Sequence, residues 1–172
     1  SLVARLDPDD EVLSNRFHMQ FNEFKVDKNL AVCGSNIIEI YNGEENLIKK
    51  PQKNKDIYKS LKYKNPLIHS TVMFNKKDIL SVGGYPEIDK CQDYLLWIKL
   101  LENNFIFKNI SKPLVRTNLD LSMMQRRGLG YFFYEFKVYK YMLKNKIISF
   151  YFFYFIFISR FLIRMLPNFI KI

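Results

Sequence analysis

Three carboxylates, Asp7, Asp9 and Asp10, stand around Pro8 where an apolar run (Leu2, Val3, Ala4, Leu6) ends. Such a run reads as a buried strand, closed by a turn signal and followed by a helix start. Carboxylates at the C-terminal end of a buried strand sit where α/β sheets place their ligand crevice. In an extended segment residues two apart point the same way, so Asp7 and Asp9 can converge on one point. Two hard oxygen ligands suit Mn2+ or Mg2+, above all an ion also held by substrate phosphates. Asp9 or Asp10 equally suits the N-cap of the helix that follows, and spacing alone leaves the two readings level. Asp93 opens the segment QDYLLWIKLLEN. There it is either a plain helix cap or a carboxylate kept ionised by the helix N-terminus and placed to take a proton. His69, in PLIHSTVMF, could line a site or approach a metal, although a lone histidine is more often packed or hydrogen-bonded.

These side chains need elements to hold them. Phe17, Phe21 and Phe24 recur at helical spacing and predict a helix over about 14–28 with that apolar stripe inward. LAVCGSNIIEIY predicts a strand interrupted at Gly34–Ser35. Gly43 and the charged stretch 44–55 read as an exposed loop, followed by a short basic helix to about Tyr63. LIHSTVMFNK predicts a further strand, KKDILSV a short helix closed by Gly83–Gly84, and 92–103 an amphipathic helix in which Trp97 is core or pocket wall. FIFKNI and PLVRTN read as two short strands. The alternation of strands and helices predicts an α/β layer fold.

At 172 residues, 48% of them hydrophobic and 16% aromatic, the chain has material for one packed domain and is not a disordered one. Its net charge of +10 favours an anionic partner: nucleic acid, anionic lipid or a phosphorylated substrate. No nucleic-acid motif accompanies the charge, and the aromatics gather in an apolar tail, so nucleic acid is not expected. Cys33 and Cys91 lack any metal-ligand spacing and predict buried free thiols. The stretch IISFYFFYFIFI over 147–158 is shorter than a membrane span needs. With Arg160, Arg164 and Lys171 beside it, residues 147–172 predict a helix lying on an anionic membrane surface, with snorkelling cations.

Four features stand in fixed order: DPDD with Arg16, Phe17 and Gln20 downstream; AVCGS; PLIHSTVMFNKKDILSVGGY; and QDYLLWIKLLENN. This order resembles the C-terminal half of the family 2 glycosyltransferases with the GT-A fold, of the bacterial surface-polysaccharide type. The resemblance implies an α/β fold: over 1–120 a partial GT-A domain (Rossmann-like, three-layer α/β/α) lacking its N-terminal nucleotide-binding strands. Aromatic-rich C-terminal helices over 121–172 would follow. It implies inverting transfer of a single sugar from a nucleotide-sugar donor to a glycan or lipid-linked acceptor. Asp9 and Asp7 would ligate Mn2+ or Mg2+, with Asp7, Asp10 and Arg16 on the donor side. Asp93 would be the general base, and His69, Gly84, Tyr85, Gln92 and Trp97 would lie on the acceptor side.

Two departures matter. Gln92 stands where the family often has Glu, and Gln125–Arg126–Arg127–Gly128 only loosely echoes the motif of processive members, so a non-processive enzyme is expected. Only six residues precede Asp7, so the resemblance implies a missing N-terminal half and weak or no activity for this chain alone. The expected place is the cytoplasmic face of the bacterial inner membrane, peripherally bound. The rival expectation is a non-catalytic, membrane-peripheral remnant of such a transferase.

Overall fold

The computed structural model describes residues 1–13, 15–119 and 129–165. Arg126, Arg127 and Lys171 therefore lie outside the described residues, as does the part of the predicted tail helix beyond 165. Six strands form one mixed sheet: β1 (Leu2–Ala4), β2 (Asp10–Val12), β3 (Leu30–Tyr41), β4 (Glu44–Ile48), β5 (Met73–Asn75) and β6 (Ile106–Asn118). Their order is β1-β5-β3-β6-β2, with β4 added to the far half of β3; β3 and β6 run parallel and the other pairs antiparallel. The helices are α1 (Arg16–Val26), α2 (Asn54–Leu61), α3 (Lys76–Ser81), α4 (Gln92–Glu102), α5 (Leu129–Lys144) and α6 (Phe150–Met165). The fold is mixed α/β, consistent with a partial Rossmann-like glycosyltransferase domain followed by C-terminal helices.

β3 has a nearly all-apolar first half because helices cover both of its faces. On one face Ala31, Val32 and Phe107 pack against Ile57 and Leu61 of α2, Leu96, Trp97 and Leu100 of α4, and Val138 and Met142 of α5. On the other, Leu30, Cys33, Met73, Ile110 and Leu114 pack against Phe24 of α1. Both cysteines are buried thiols outside any disulfide, and burial pushes Cys33 up to about 12, which keeps it protonated.

Several expectations are corrected. The apolar run at 2–6 is no buried strand: β1 is a short edge strand with Val3 and Leu6 exposed. The inward stripe of α1 is Arg16, Gln20 and Phe24, one residue off the phenylalanine stripe, and Phe17 and Phe21 face solvent. Buried polar residues win that face because the backbone supplies them with hydrogen-bond partners. The predicted loop at 44–55 contains β4, joined to β3 by Asn42–Gly43 with φ of 51° and 82°. This is the two-residue turn that Asn-Gly favours. FIFKNI and PLVRTN form one strand; Pro113 is tolerated where the β3–β6 register slips around Asn36. LIHSTVMFNK contributes only β5, preceded by a 3-10 turn at His69–Thr71.

The C-terminal helices share the main core. Val138, Tyr139 and Met142 of α5 and Phe153 and Ile156 of α6 are buried in it, along with Ile148 between them. Arg160 is no snorkelling cation: it donates to the Tyr63 carbonyl at 2.6 Å and pairs with the buried Glu135 at 3.8 Å. Tyr139 joins it on the same carbonyl at 2.8 Å, and Tyr94 of α4 donates to the Leu61 carbonyl at 2.7 Å. Three helices thus satisfy the orphan carbonyls at the end of α2. Among the described residues, no helix is long and apolar enough to cross a membrane.

Candidate functional site

Asp7, Pro8, Asp9 and Asp10 form a β-turn, closed by the Asp10 amide on the Asp7 carbonyl at 3.1 Å. Proline suits the second position of such a turn because its φ is already set. The sequence led one to expect an extended segment; it is instead a turn, and Asp7 and Asp9 both line one cleft. Asp7 accepts from Arg5 Nη2 at 3.0 Å. Asp10 begins β2, opposite Thr117 of β6, and so does not cap α1. The cap position is Asn15, in a left-handed conformation and with no side-chain cap bond.

Arg16 is 0% exposed and does not reach the donor side as expected. Its Nη2 donates to the Arg5 carbonyl at 2.6 Å and its Nε to Gln20 Oε1 at 3.1 Å. Gln20 in turn donates to the carbonyls of Cys33 and Thr71, at 2.7 and 2.8 Å. Burial lowers the Arg16 pKa, and Asp10 opposes that shift. The pair ties the strand end bearing the aspartates to β3 and to the turn before β5.

Asp7, Asp9 and Asp10 line a cleft of about 520 Å³ together with His69, Asp89 and Tyr131. A second cavity of about 490 Å³, beside Asn109, has Glu23 and Lys108 already paired with each other at 2.6 Å. None of the predicted site residues lines it. On the cleft lining, His69 Nε2 shares a hydrogen bond of 2.9 Å with Oη of Tyr85, which itself is not a lining residue. Burial lowers the His69 pKa, while the Asp93 and Asp7 charges raise it and Arg5 lowers it, so carboxylates of two distant segments act on one imidazole. Burial, then Asp93, pushes the Tyr85 hydroxyl up to about 12.

Gly83 and Gly84, with φ of 89° and 72°, wrap the end of α3 by donating to its Leu80 and Ile79 carbonyls. Gly84 thus acts through the backbone, setting where Tyr85 leaves the helix. Cys91, in a left-handed conformation, occupies the N-cap position of α4. Asp93 is therefore the second helical residue and not the cap. It is half-buried, is not among the residues lining the cleft, bears on it through the charge it sets against His69, and accepts from Asn65 Nδ2 at 2.6 Å. Gln92 is exposed and outside the cleft lining. Trp97 is 0% exposed, core beneath His69 at 6.4 Å between rings, so it is no acceptor wall.

No three of the described His, Cys, Asp and Glu residues converge into a metal cage. Mg2+ and Mn2+ do not require one, since one or two carboxylates plus substrate phosphates suffice. Exposed Asp9 at the turn tip, with half-buried Asp7 and Asp10 in the same cleft, fits that donor set. Sequence reasoning missed Asn65, Asp89 and Tyr131. An Asx turn at Asn65 was readable from Asn-Pro, but its long-range partner was not.

No family model matches the chain. It is 30% identical over 148 residues to the amylovoran biosynthesis glycosyltransferase AmsE of Erwinia amylovora, covering 85% of this chain and 56% of that protein. It is 31% identical over 170 residues to the UDP-Gal:alpha-D-GlcNAc-diphosphoundecaprenol beta-1,3-galactosyltransferase of Escherichia coli, covering 97% and 62%. It is 32% identical over 136 residues to the O-antigen biosynthesis glycosyltransferase WbnJ of Escherichia coli, covering 77% and 53%. The chain spans little more than half the length of these curated relatives. The chain is thus similar in sequence to bacterial glycosyltransferases of polysaccharide biosynthesis.

Proposed function

We propose that the protein transfers a single sugar, with inversion, from a nucleotide-sugar donor to a glycan or lipid-linked acceptor during bacterial surface-polysaccharide synthesis. The observation that carries this reading is the meeting of the Asp7–Asp10 turn with His69 in one cleft, beside which α4 holds Asp93. Asp9 and Asp7 would hold Mn2+ or Mg2+, which when bound would supply neutralisation of the charge on a leaving diphosphate. Asp7 faces the nucleotide, and Asp10 supports the turn from its place opposite Thr117. Arg16 keeps the turn in position from behind.

Asp93 takes the proton of the acceptor hydroxyl as that oxygen bonds to the anomeric carbon. The bond to the diphosphate oxygen breaks and its electron pair leaves with the nucleoside diphosphate. Proximity and orientation at the start of α4 supply the rate. His69 and Tyr85 form the wall against which the acceptor lies. The name of the Escherichia coli relative, with its diphosphoundecaprenol acceptor, supports a lipid-linked acceptor here.

The outer face of α6 fits a membrane role. Phe150, Tyr151, Tyr154, Phe155, Ile158 and Leu162 recur at helical spacing and are exposed, opposite the face that packs on the core. A helix apolar all round is covered on all sides. We assign the outer side to the anionic cytoplasmic surface of the inner membrane, with Lys137, Lys140 and Lys144 exposed along α5 as its electrostatic complement. The test is transfer by the intact protein from a panel of UDP- and GDP-sugars to a synthetic sugar-diphospho-lipid. Turnover that disappears on chelation and returns with Mn2+ supports the reading; no turnover with any pair together with no Mn2+-dependent binding of a nucleoside diphosphate contradicts it.

A further inference from the structure

The geometry points to Asn65 as a positioning residue that holds Asp93 in its working orientation; this rests on the reading of Asp93 as the acceptor-side base. Asn65 Nδ2 donates to Asp93 Oδ2 at 2.6 Å, the short length of a charge-assisted bond. The direction of the amide is fixed by its other end, because Asn65 Oδ1 accepts the Leu67 amide at 3.2 Å. With the oxygen so used, the amino group is the end that faces the carboxylate.

The segment bearing Asn65 is itself anchored. Asn109 of β6 donates to the carbonyls of Pro66 and Pro51, at 3.2 and 2.7 Å, and Lys50 Nζ reaches the Asn65 carbonyl at 3.4 Å. A chain of contacts therefore runs from the central sheet through Asn109 and Pro66 to Asn65 and Asp93. A carboxylate on a helix turns about two side-chain bonds. Fixing one of its oxygens leaves the other to meet the acceptor hydroxyl in a defined direction, and an error of about 1 Å in such placement costs on the order of 10²-fold in rate.

The substitutions Asn65→Ala, Asn65→Asp and Asn65→Ser separate positioning from a purely structural role. Asp in place of Asn65 keeps the oxygen that accepts from Leu67, and with it the local turn, but loses the donor to Asp93. In the intact protein, with whichever donor and acceptor pair turns over in the panel above, Asn65→Ala and Asn65→Asp are expected to lower kcat about 10²-fold. The KM for the donor stays unchanged, the like charge that Asn65→Asp sets against Asp93 lowers its unfolding midpoint while that of Asn65→Ser stays near wild type, and Asn65→Ser, with a hydroxyl donor, recovers part of the rate. Wild-type kcat in Asn65→Asp, or Asn65→Ser no better than Asn65→Ala, overturns the proposal. Asp93→Asn is the control. If it keeps wild-type turnover, the base reading itself fails; if it is inactive while Asn65→Asp is fully active, only the positioning role fails.

Discussion

Arg16 Nη2 meets the carbonyl oxygen of Arg5 at 2.6 Å, so a fully buried guanidinium in α1 holds the strand end from which Asp7 and Asp9 emerge. A buried group of this kind is costly to remove, because its removal leaves carbonyls without partners. Arg16→Leu is expected to destabilise the protein by about 2–3 kcal/mol in urea unfolding. Arg16→Lys recovers little of this, since an ammonium cannot reproduce the fork that reaches both the Arg5 carbonyl and Gln20.

Gly34 faces Asn109 and Leu67 so closely that a Cβ there overlaps the Asn109 amide and comes within 2.9 Å of Leu67 Cδ2. Overpacking of this kind costs about 1–3 kcal/mol. Gly34→Ala is expected to lower the thermal midpoint. Because Asn109 also anchors Pro51 and Pro66, the combination with Asn109→Ala should be markedly non-additive in a double-mutant cycle.

His69 sets a pH dependence. Its pKa in the folded protein lies below the ordinary 6.5, chiefly through burial. The unfolded chain therefore binds the proton more readily than the folded one. The associated stability is whole above 6.5 and is lost as the pH falls from there through the lower folded value. The urea midpoint of the wild type is expected to fall on acidification across this window, and His69→Gln to show a shallower fall.

How far the sequence disclosed this arrangement depended on the range of the forces involved. α4 and the first half of β3 were readable because local apolar periodicity and core burial agree there. The GGY end of α3 was readable because glycine adopts positive φ freely, whereas Pro8 signalled a turn although the aspartates themselves read as extended. What the sequence hid was decided by long-range partners. Arg16 read as a donor-side contact and Phe17 as core, until backbone carbonyls of Arg5, of β3 and of the turn before β5 claimed Arg16 and Gln20 and reversed the two faces of α1. Arg160 read as a membrane cation, although Glu135 and the Tyr63 carbonyl claim it. The β4 hairpin was legible in Asn42–Gly43, but the dense charge of the following stretch masked it.

The outer face of α6 gives a surface prediction. Tyr151 is 86% exposed, and Phe155 and Ile158 share its face. Tyr151→Glu combined with Phe155→Glu is expected to release the intact protein from vesicles containing anionic lipid, as read by flotation, while leaving the unfolding midpoint within about 0.5 kcal/mol of wild type. Raising the salt concentration should weaken the binding of the wild type without abolishing it, since only its electrostatic part is screened.

The central claim is that the aspartate turn and Asp93 serve opposite ends of one transfer event, and one paired measurement tests it most directly. Binding of a nucleotide sugar by calorimetry, with and without Mn2+, is set beside turnover for Asp9→Ala and Asp93→Asn in the intact protein. The account predicts that Asp9→Ala loses both Mn2+-dependent binding and turnover. Asp93→Asn keeps that binding and loses turnover by at least about 10³-fold. Turnover within tenfold of wild type in Asp93→Asn, or Mn2+-dependent binding unchanged in Asp9→Ala, would contradict it.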